Sequence, residues 1–161
     1  MVFVTVGTHE QPFDRLMREV ERLVETGGIS DVTVQYGYST VLPKGCRCEA
    51  FLPYEEMQRL YTEADVVVCH GGPSTFLEAV AAGKAPVVVP RIERYGEHVN
   101  DHQLAFVREV AERKGGIIPV YDVANLFSAV KEARHTSRDD VGFESHSVDF
   151  CRELTRLIKE L

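Results

Sequence analysis

Apolar residues fall along this chain in two alternating patterns. Short runs of five or six mostly β-branched residues are followed by longer stretches with apolar positions at steps of three and four. The first kind predicts buried strands and the second predicts amphipathic helices. Val2 to Val6 reads as a strand ending at Gly7. Phe13, Leu16, Met17, Val20, Leu23 and Val24 then trace one helix face, which Gly27-Gly28 stops. Asp31 to Tyr36 predicts a second strand, and Cys48 to Leu52 a short third one after the Pro43-Lys44-Gly45 turn. A brief helix is expected over Glu55 to Glu63. Ala64 to Cys69 is a strand running straight into His70-Gly71-Gly72, and a helix follows from Ser74 to Ala82, with Gly83 as its stop. Ala85 to Val89 is a fifth strand, closed by Pro90. Helices over Val99 to Arg113 and Val123 to Arg134 flank a short edge strand, Ile117 to Val120.

This alternation predicts an α/β fold, a doubly wound parallel sheet of Rossmann-like form with helices on both faces. The domain is expected over residues 1–134. A polar linker is expected over 135–146, followed by an amphipathic C-terminal helix over 147–161. In that helix Val148, Cys151, Leu154, Ile158 and Leu161 recur at helical spacing. Such a stripe packs either on the chain's own sheet or on a partner.

Composition narrows the picture. The 161 residues suit one core, and the formal net charge of -7 argues against nucleic acid and against an anionic membrane surface as direct partners. No apolar run approaches the roughly 18 to 20 residues that span a bilayer, so no direct membrane insertion is expected. The first strand starts at Met1 with no basic stretch ahead of it, so no signal peptide is expected. Cys46, Cys48, Cys69 and Cys151 lack disulfide-scaffold density and read as reduced thiols in a cytoplasmic protein. The lone Cys46-Arg47-Cys48 has no second ligand pair to match it as a metal site.

In doubly wound sheets, ligands bind at the carboxyl ends of the strands. Three loops there have unusual content: Gly7 to Pro12, His70 to Thr75, and Pro90 to Gln103. Gly71 and Gly72 permit close backbone approach, and Ser74 and Thr75 bring hydroxyls to a helix N-terminus, where a phosphate is favoured. The loop is neither a Walker A nor a G-x-G-x-x-G sequence. By itself it reads equally as a tight strand–helix turn with Ser74 as N-cap. Glu78 lies one turn inward on the same face. Its carboxylate can accept two hydrogen bonds from a ribose diol, or it is an ordinary exposed glutamate. His98 and His102 have i, i+4 spacing suited to a metal, but no third ligand is evident, so no metal is expected.

Cys69-His70-Gly71-Gly72-Pro73-Ser74-Thr75-Phe76-Leu77-Glu78, then Ala82-Gly83 and Pro90-Arg91, resembles the nucleotide-binding signature of GT-B glycosyltransferases, and most of all glycosyltransferase family 28. Val4 to Thr8 with Pro12-Phe13-Asp14, and His98 to Gln103, resemble the stand-alone small subunits of split enzymes. One of these adds the second N-acetylglucosamine to a dolichol-linked sugar. Others are bacterial exopolysaccharide glycosyltransferases, including galactosyl- and glucuronosyltransferases.

The resemblance implies that the chain is one half of a GT-B fold and binds a UDP-sugar as donor, with no cofactor. Gly71, Gly72, Ser74 and Thr75 would hold the diphosphate, with Thr8 facing it and His70 donating to it or capping the strand. Glu78 would hold the ribose. Phe51 would pack on uracil, with the Leu52 backbone at the base edge. The segment His98, Asn100, Asp101 and Gln103 would line the sugar. Arg91 departs from the larger enzymes: it either meets a carboxylated or phosphorylated group or forms a loop salt bridge.

Inverting transfer also needs a base at the acceptor. The resemblance puts that base on a membrane-associated, acceptor-binding partner subunit, which would hold this chain at the membrane periphery. Within the chain His9 is the candidate base, and a surface-loop histidine is the other reading. The final helix is then expected to dock on the partner or, without it, on a second copy of the chain. The alternatives are a non-catalytic nucleotide-binding regulatory domain and a non-hydrolysing UDP-sugar epimerase, which needs a longer chain.

Overall fold

The computed structural model describes residues 1–113 and 116–136. Six parallel strands form one sheet: β1 (Val2–Thr5), β2 (Val32–Gln35), β3 (Arg47–Glu49), β4 (Val66–His70), β5 (Val87–Val89) and β6 (Ile118–Pro119). Their spatial order is β3-β2-β1-β4-β5-β6. The order reverses between β1 and β4, and a crevice opens at that point, past the carboxyl ends of the strands. Five helices cover the sheet: α1 (Asp14–Glu25), α2 (Tyr54–Glu63), α3 (Pro73–Ala81), α4 (His102–Arg113) and α5 (Leu126–His135). The doubly wound parallel fold expected from the alternation is the fold observed.

Alternate residues of each central strand feed two cores, because successive side chains leave a strand on opposite faces. Val2, Val4, Val66, Val68, Val87 and Val89 pack with Leu16, Met17, Val20 and Leu23 of α1 and with Leu126, Ala129 and Val130 of α5. Phe3, Val67, Cys69 and Val88 pack with Leu60 and Tyr61 of α2, Phe76 and Ala79 of α3, and Phe106, Val107 and Val110 of α4. Phe3 is fully buried and meets the Tyr61 ring edge-on at 5.4 Å.

Several boundaries differ from the sequence expectation, each for a local reason. β3 stops at Glu49 rather than running to Leu52. The Ala50 carbonyl accepts from Gly37 N and from Gln35 Nε2, so the chain is held there and Phe51 and Leu52 become loop residues at the strand's carboxyl end. α3 begins at Pro73, whose missing N–H costs nothing at a first helical position, and Ser74 lies inside the helix rather than capping it. α4 begins at His102, not Val99, and the Asn100 side chain accepts from His102 N at its start. Val123–Asn125 is a 3-10 turn capped by Asp122, and α5 follows it. α5 reaches His135. The expected polar linker beyond Thr136 and the amphipathic helix over 147–161 lie outside the described residues.

Truncating Phe3 removes the ring on which α2 sits. Phe3→Ala is expected to cost about 3 to 5 kcal/mol of unfolding free energy, as for other phenylalanine-to-alanine changes in packed cores. Urea denaturation of the two proteins checks this.

Candidate functional site

A cavity of about 790 Å³ opens at the carboxyl ends of β1 and β4. Thr8, His9 and Glu10 of the β1–α1 loop form one wall. Phe51 and Leu52 lie at the end nearest β3, with Tyr54, Met57 and Tyr61 of α2 beside them. His70, Ser74, Thr75 and Glu78 form the wall built by β4 and α3, and Gln103 comes in from the first turn of α4. The start of α3 therefore abuts the cavity and presents the positive end of its dipole there.

His70 organises this wall. Its Nδ1 accepts from Gly72 N at 3.0 Å, and a backbone N–H can only donate. The ring proton is therefore on Nε2, which donates to Thr75 Oγ1 at 2.9 Å. The Thr75 hydroxyl already accepts this bond, so its own hydrogen is free to donate elsewhere. Gln103 strengthens the arrangement. Its Oε1 accepts from Gly71 N and Arg91 N, and its Nε2 approaches His70 Nδ1 at 3.3 Å. A second ring proton would have to face two donors. Burial pushes the His70 pKa down to about 3, and the Arg91 guanidinium adds to the shift. The imidazole is neutral at neutral pH.

The glycines of the motif serve this ring. A Cβ on Gly72 would stand 2.2 Å from His70 Cε1, and one on Gly7, whose φ is +73°, would stand 2.5 Å from His70 Nε2. A Cβ on Gly71 would meet Val107 of α4 at 2.9 Å. Gly71 and Gly72 are buried and do not line the cavity. Their small size was expected to admit a ligand, but here it admits an imidazole and a helix.

Glu78 faces the cavity, and Gln58 Nε2 donates to its Oε2 at 2.5 Å. Opposite, Gln35 ties the β1 and β3 loops together. It accepts from Thr5 Oγ1 and Gly7 N and donates to the carbonyls of Gly7 and Ala50. Gln35, Gln58 and Tyr61 were not singled out from the sequence. A long amide side chain closing the β-branched run Val32-Thr33-Val34 is a signal that points to Gln35. Gln58 carries no such signal, since its role depends on how α2 packs beside α3.

The Pro90 to Gln103 segment behaves differently from expectation. Arg91 is fully buried and does not line the cavity. Its guanidinium donates to the carbonyls of Val6, Gln11 and Glu97 and lies 4.7 Å over the Phe13 ring. Burial lowers its pKa to about 10, which leaves it charged at neutral pH. It is neither a ligand contact nor a loop salt bridge. The ion pair belongs to Arg15, which holds the buried Glu97 with both Nε and Nη2 and also donates to the Pro90 carbonyl. Glu97 accepts from Ile92 N as well. Asp101 accepts from Glu93 N, and Asn100 holds the start of α4, so both are engaged in loop structure. His98 reaches the cavity wall only through His9, on which it stacks at 4.5 Å and 13°. Burial and the His9 ring hold the His98 pKa below the usual histidine value. His9 Nε2 pairs with Gln11 Oε1.

The sequence matches the glycosyltransferase family 28 C-terminal domain over residues 1–143. The chain belongs to this family. It is 32% identical over 118 residues to the mouse protein named UDP-N-acetylglucosamine transferase subunit ALG13, covering 67% of this chain and 10% of that one. It is 30% identical over 95 residues to the UDP-N-acetylglucosamine–N-acetylmuramyl-(pentapeptide) pyrophosphoryl-undecaprenol N-acetylglucosamine transferase of Syntrophotalea carbinolica, covering 58% of this chain and 25% of that one. Among solved structures, the glycotransferase of kitacinnamycin superposes with a TM-score of 0.62 at 18% identity, covering 99% of this chain and 43% of its own. MurG of Acinetobacter baumannii superposes with a TM-score of 0.56 at 20% identity, covering 86% and 43%. These structural likenesses are to one half of GT-B glycosyltransferases. The chain thus spans a tenth to a quarter of these curated relatives and under half of the solved structures.

The buried neutral His70 links stability to pH. Its folded pKa lies below the ordinary value of about 6.5, so between the two the unfolded chain binds the extra proton. The stability this group contributes is present above pH 6.5 and is lost as pH falls toward 3. His70→Gln should remove up to about 1.4 kcal/mol per pH unit from the slope of stability against pH below 6. Urea midpoints of both proteins between pH 4.5 and 7.5 check the difference in slope.

Proposed function

We propose that this chain is the donor-binding subunit of a two-component inverting glycosyltransferase. It takes a UDP-sugar and, with its partner, transfers a hexosyl group to a lipid-linked or glycan acceptor in polysaccharide biosynthesis. The observation that carries this reading is the wall formed by His70, Thr75 and Glu78. The proton on His70 Nε2 leaves the Thr75 hydroxyl as a donor at the positive end of α3, and an acceptor carboxylate sits one turn further along the same helix. A hydroxyl donor and a helix N-terminus suit a diphosphate, and a carboxylate suits a vicinal diol. The family membership and the names of both curated relatives, which specify UDP-N-acetylglucosamine or its transfer, support a UDP-sugar.

In this reading Ser74, Thr75 and the first N–H groups of α3 hold the diphosphate, and Thr8 faces it. These groups stabilise negative charge as UDP leaves, which is the electrostatic half of the catalysis. Glu78 accepts from the ribose, while Gln58 holds its other oxygen. Phe51, half exposed with the Tyr38 ring edge-on to it at 5.3 Å, offers a face to uracil beside the Leu52 backbone. Gln103, with His98, Asn100 and Asp101 behind it, shapes the sugar end. No metal or cofactor is assigned a part.

The base that deprotonates the acceptor belongs to a membrane-associated partner, with His9 the candidate within this chain. The chain works in the cytoplasm and reaches the membrane through that partner, contacting it through residues 147–161 at the end of the 135–146 linker. Among the described residues no helix is long and apolar enough to cross a membrane.

Two measurements test this. In titration calorimetry the chain should bind UDP more tightly than ADP or GDP. Glu78→Ala should weaken UDP by on the order of 1.5 to 3 kcal/mol, the range for hydrogen bonds to a charged group, and should weaken 2′,3′-dideoxy-UDP far less. Equal loss for both nucleotides would remove Glu78 from the ribose. Separately, the purified chain should give no sugar transfer to a lipid-linked acceptor until the partner is added. Robust transfer without it would make His9 the base, and His9→Ala should then abolish the activity.

A further inference from the structure

Two carboxylates reach the cavity, from Glu10 and Glu78, while among the described residues no lysine or arginine lines it. Two arginines of neighbouring segments are committed elsewhere. Arg91 is buried against three carbonyls, and Arg15 is held by Glu97 and Pro90. Arg91 had seemed, from sequence, the group able to meet a carboxylated sugar. Its position removes it from that role.

On the donor-binding reading, Glu10 faces the part of the cavity left for the sugar. Glu78 and Gln58 fix the ribose end near α2, and Phe51 lies at the β3 side. The loop carrying Glu10 turns the other way, since its His9 stacks on His98 of the segment after β5. Glu10 follows His9 in this loop and lines the cavity, exposed and, among the described residues, with no lysine or arginine beside it in the lining. A carboxylate entering beside Glu10 would meet a like charge with no lysine or arginine among the described lining residues to balance it.

We propose that this cavity selects donors with an uncharged hexosyl group and rejects hexuronosyl donors, with Glu10 as the specificity-determining side chain. The inference rests on the reading that a UDP-sugar fills the cavity. Its physical content is repulsion between Glu10 and the C6 carboxylate, so it is electrostatic and weakens with salt. A steric exclusion would not weaken with salt.

UDP-glucose and UDP-glucuronate differ only at C6, which makes them the probes. Titrations of the full chain with UDP and both sugars at pH 8 supply the comparison. At low salt UDP-glucose should bind tighter than UDP-glucuronate by on the order of fivefold, the Boltzmann factor for like charges a few ångströms apart in water. The gap should shrink in 0.5 M sodium chloride and close in Glu10→Gln. Equal affinities in the wild type, or a gap that persists in Glu10→Gln, would overturn the proposal while leaving UDP-sugar binding intact. Failure of UDP itself to bind would overturn the donor-binding reading and this inference with it.

Discussion

An imidazole seated between two glycines fixes the geometry on which the site depends. His70 leaves the end of the central strand β4 and occupies space that a Cβ at Gly7 or Gly72 would fill. Gly7 lies just past the neighbouring strand β1, so the ring bridges the ends of the two strands where the sheet order reverses. Because the Gly72 N–H is pinned to Nδ1, the ring has one tautomer, and because it has one tautomer, the Thr75 hydroxyl has one role. The chain from strand end to helix start is thus a single hydrogen-bonded unit, fully satisfied on the protein side and open as a donor on the cavity side. Such pre-set donors need no reorganisation when an anion arrives.

Two arginines then hold the remaining loops against this unit. Arg91 gathers carbonyls from the end of β1, the β1–α1 loop and the segment after β5, and Arg15 grips Glu97 of the same segment. Neither guanidinium reaches the cavity, yet both set its shape, since they keep His98 stacked on His9. Guanidinium suits this task because its planar fork of donors meets several carbonyls at once while the plane lies on an aromatic ring. The consequence for chemistry is a cavity lined, among the described residues, by carboxylates and by no lysine or arginine, placed beside a helix dipole and neutral donors.

The sheet was legible in the sequence because its strands are buried on both faces, so they read as near-continuous Val runs such as Val66-Val67-Val68. The residues around His70, from Gly71 to Glu78, were legible as a group because strand, glycines and helix start follow one another without a gap. What was not legible depends on distant parts of the chain. That β3 ends at Glu49 is decided by Gln35 at the end of β2 and by Gly37 just beyond it. Arg91 follows a strand-ending proline and reads in the sequence as a contact to a charged ligand group or as a loop salt bridge. Its burial depends on carbonyls up to 85 positions away. Gln58 looked like any polar position on a short helix until α2 lay beside Glu78. At Gly71 and Gly72 the sequence shows that a Cβ is absent but not that an imidazole and α4 occupy the space.

The central claim is that one hydrogen-bonded wall, built by His70, Thr75 and Glu78, receives a uridine diphosphate. A crystal structure of the chain with UDP tests it most directly. The account predicts a diphosphate oxygen within hydrogen-bond distance of Thr75 Oγ1 at the start of α3, the His70 ring still accepting from Gly72 N, and a ribose hydroxyl on Glu78. UDP bound away from α3, or a His70 ring turned out of its slot between Gly7 and Gly72, would contradict it.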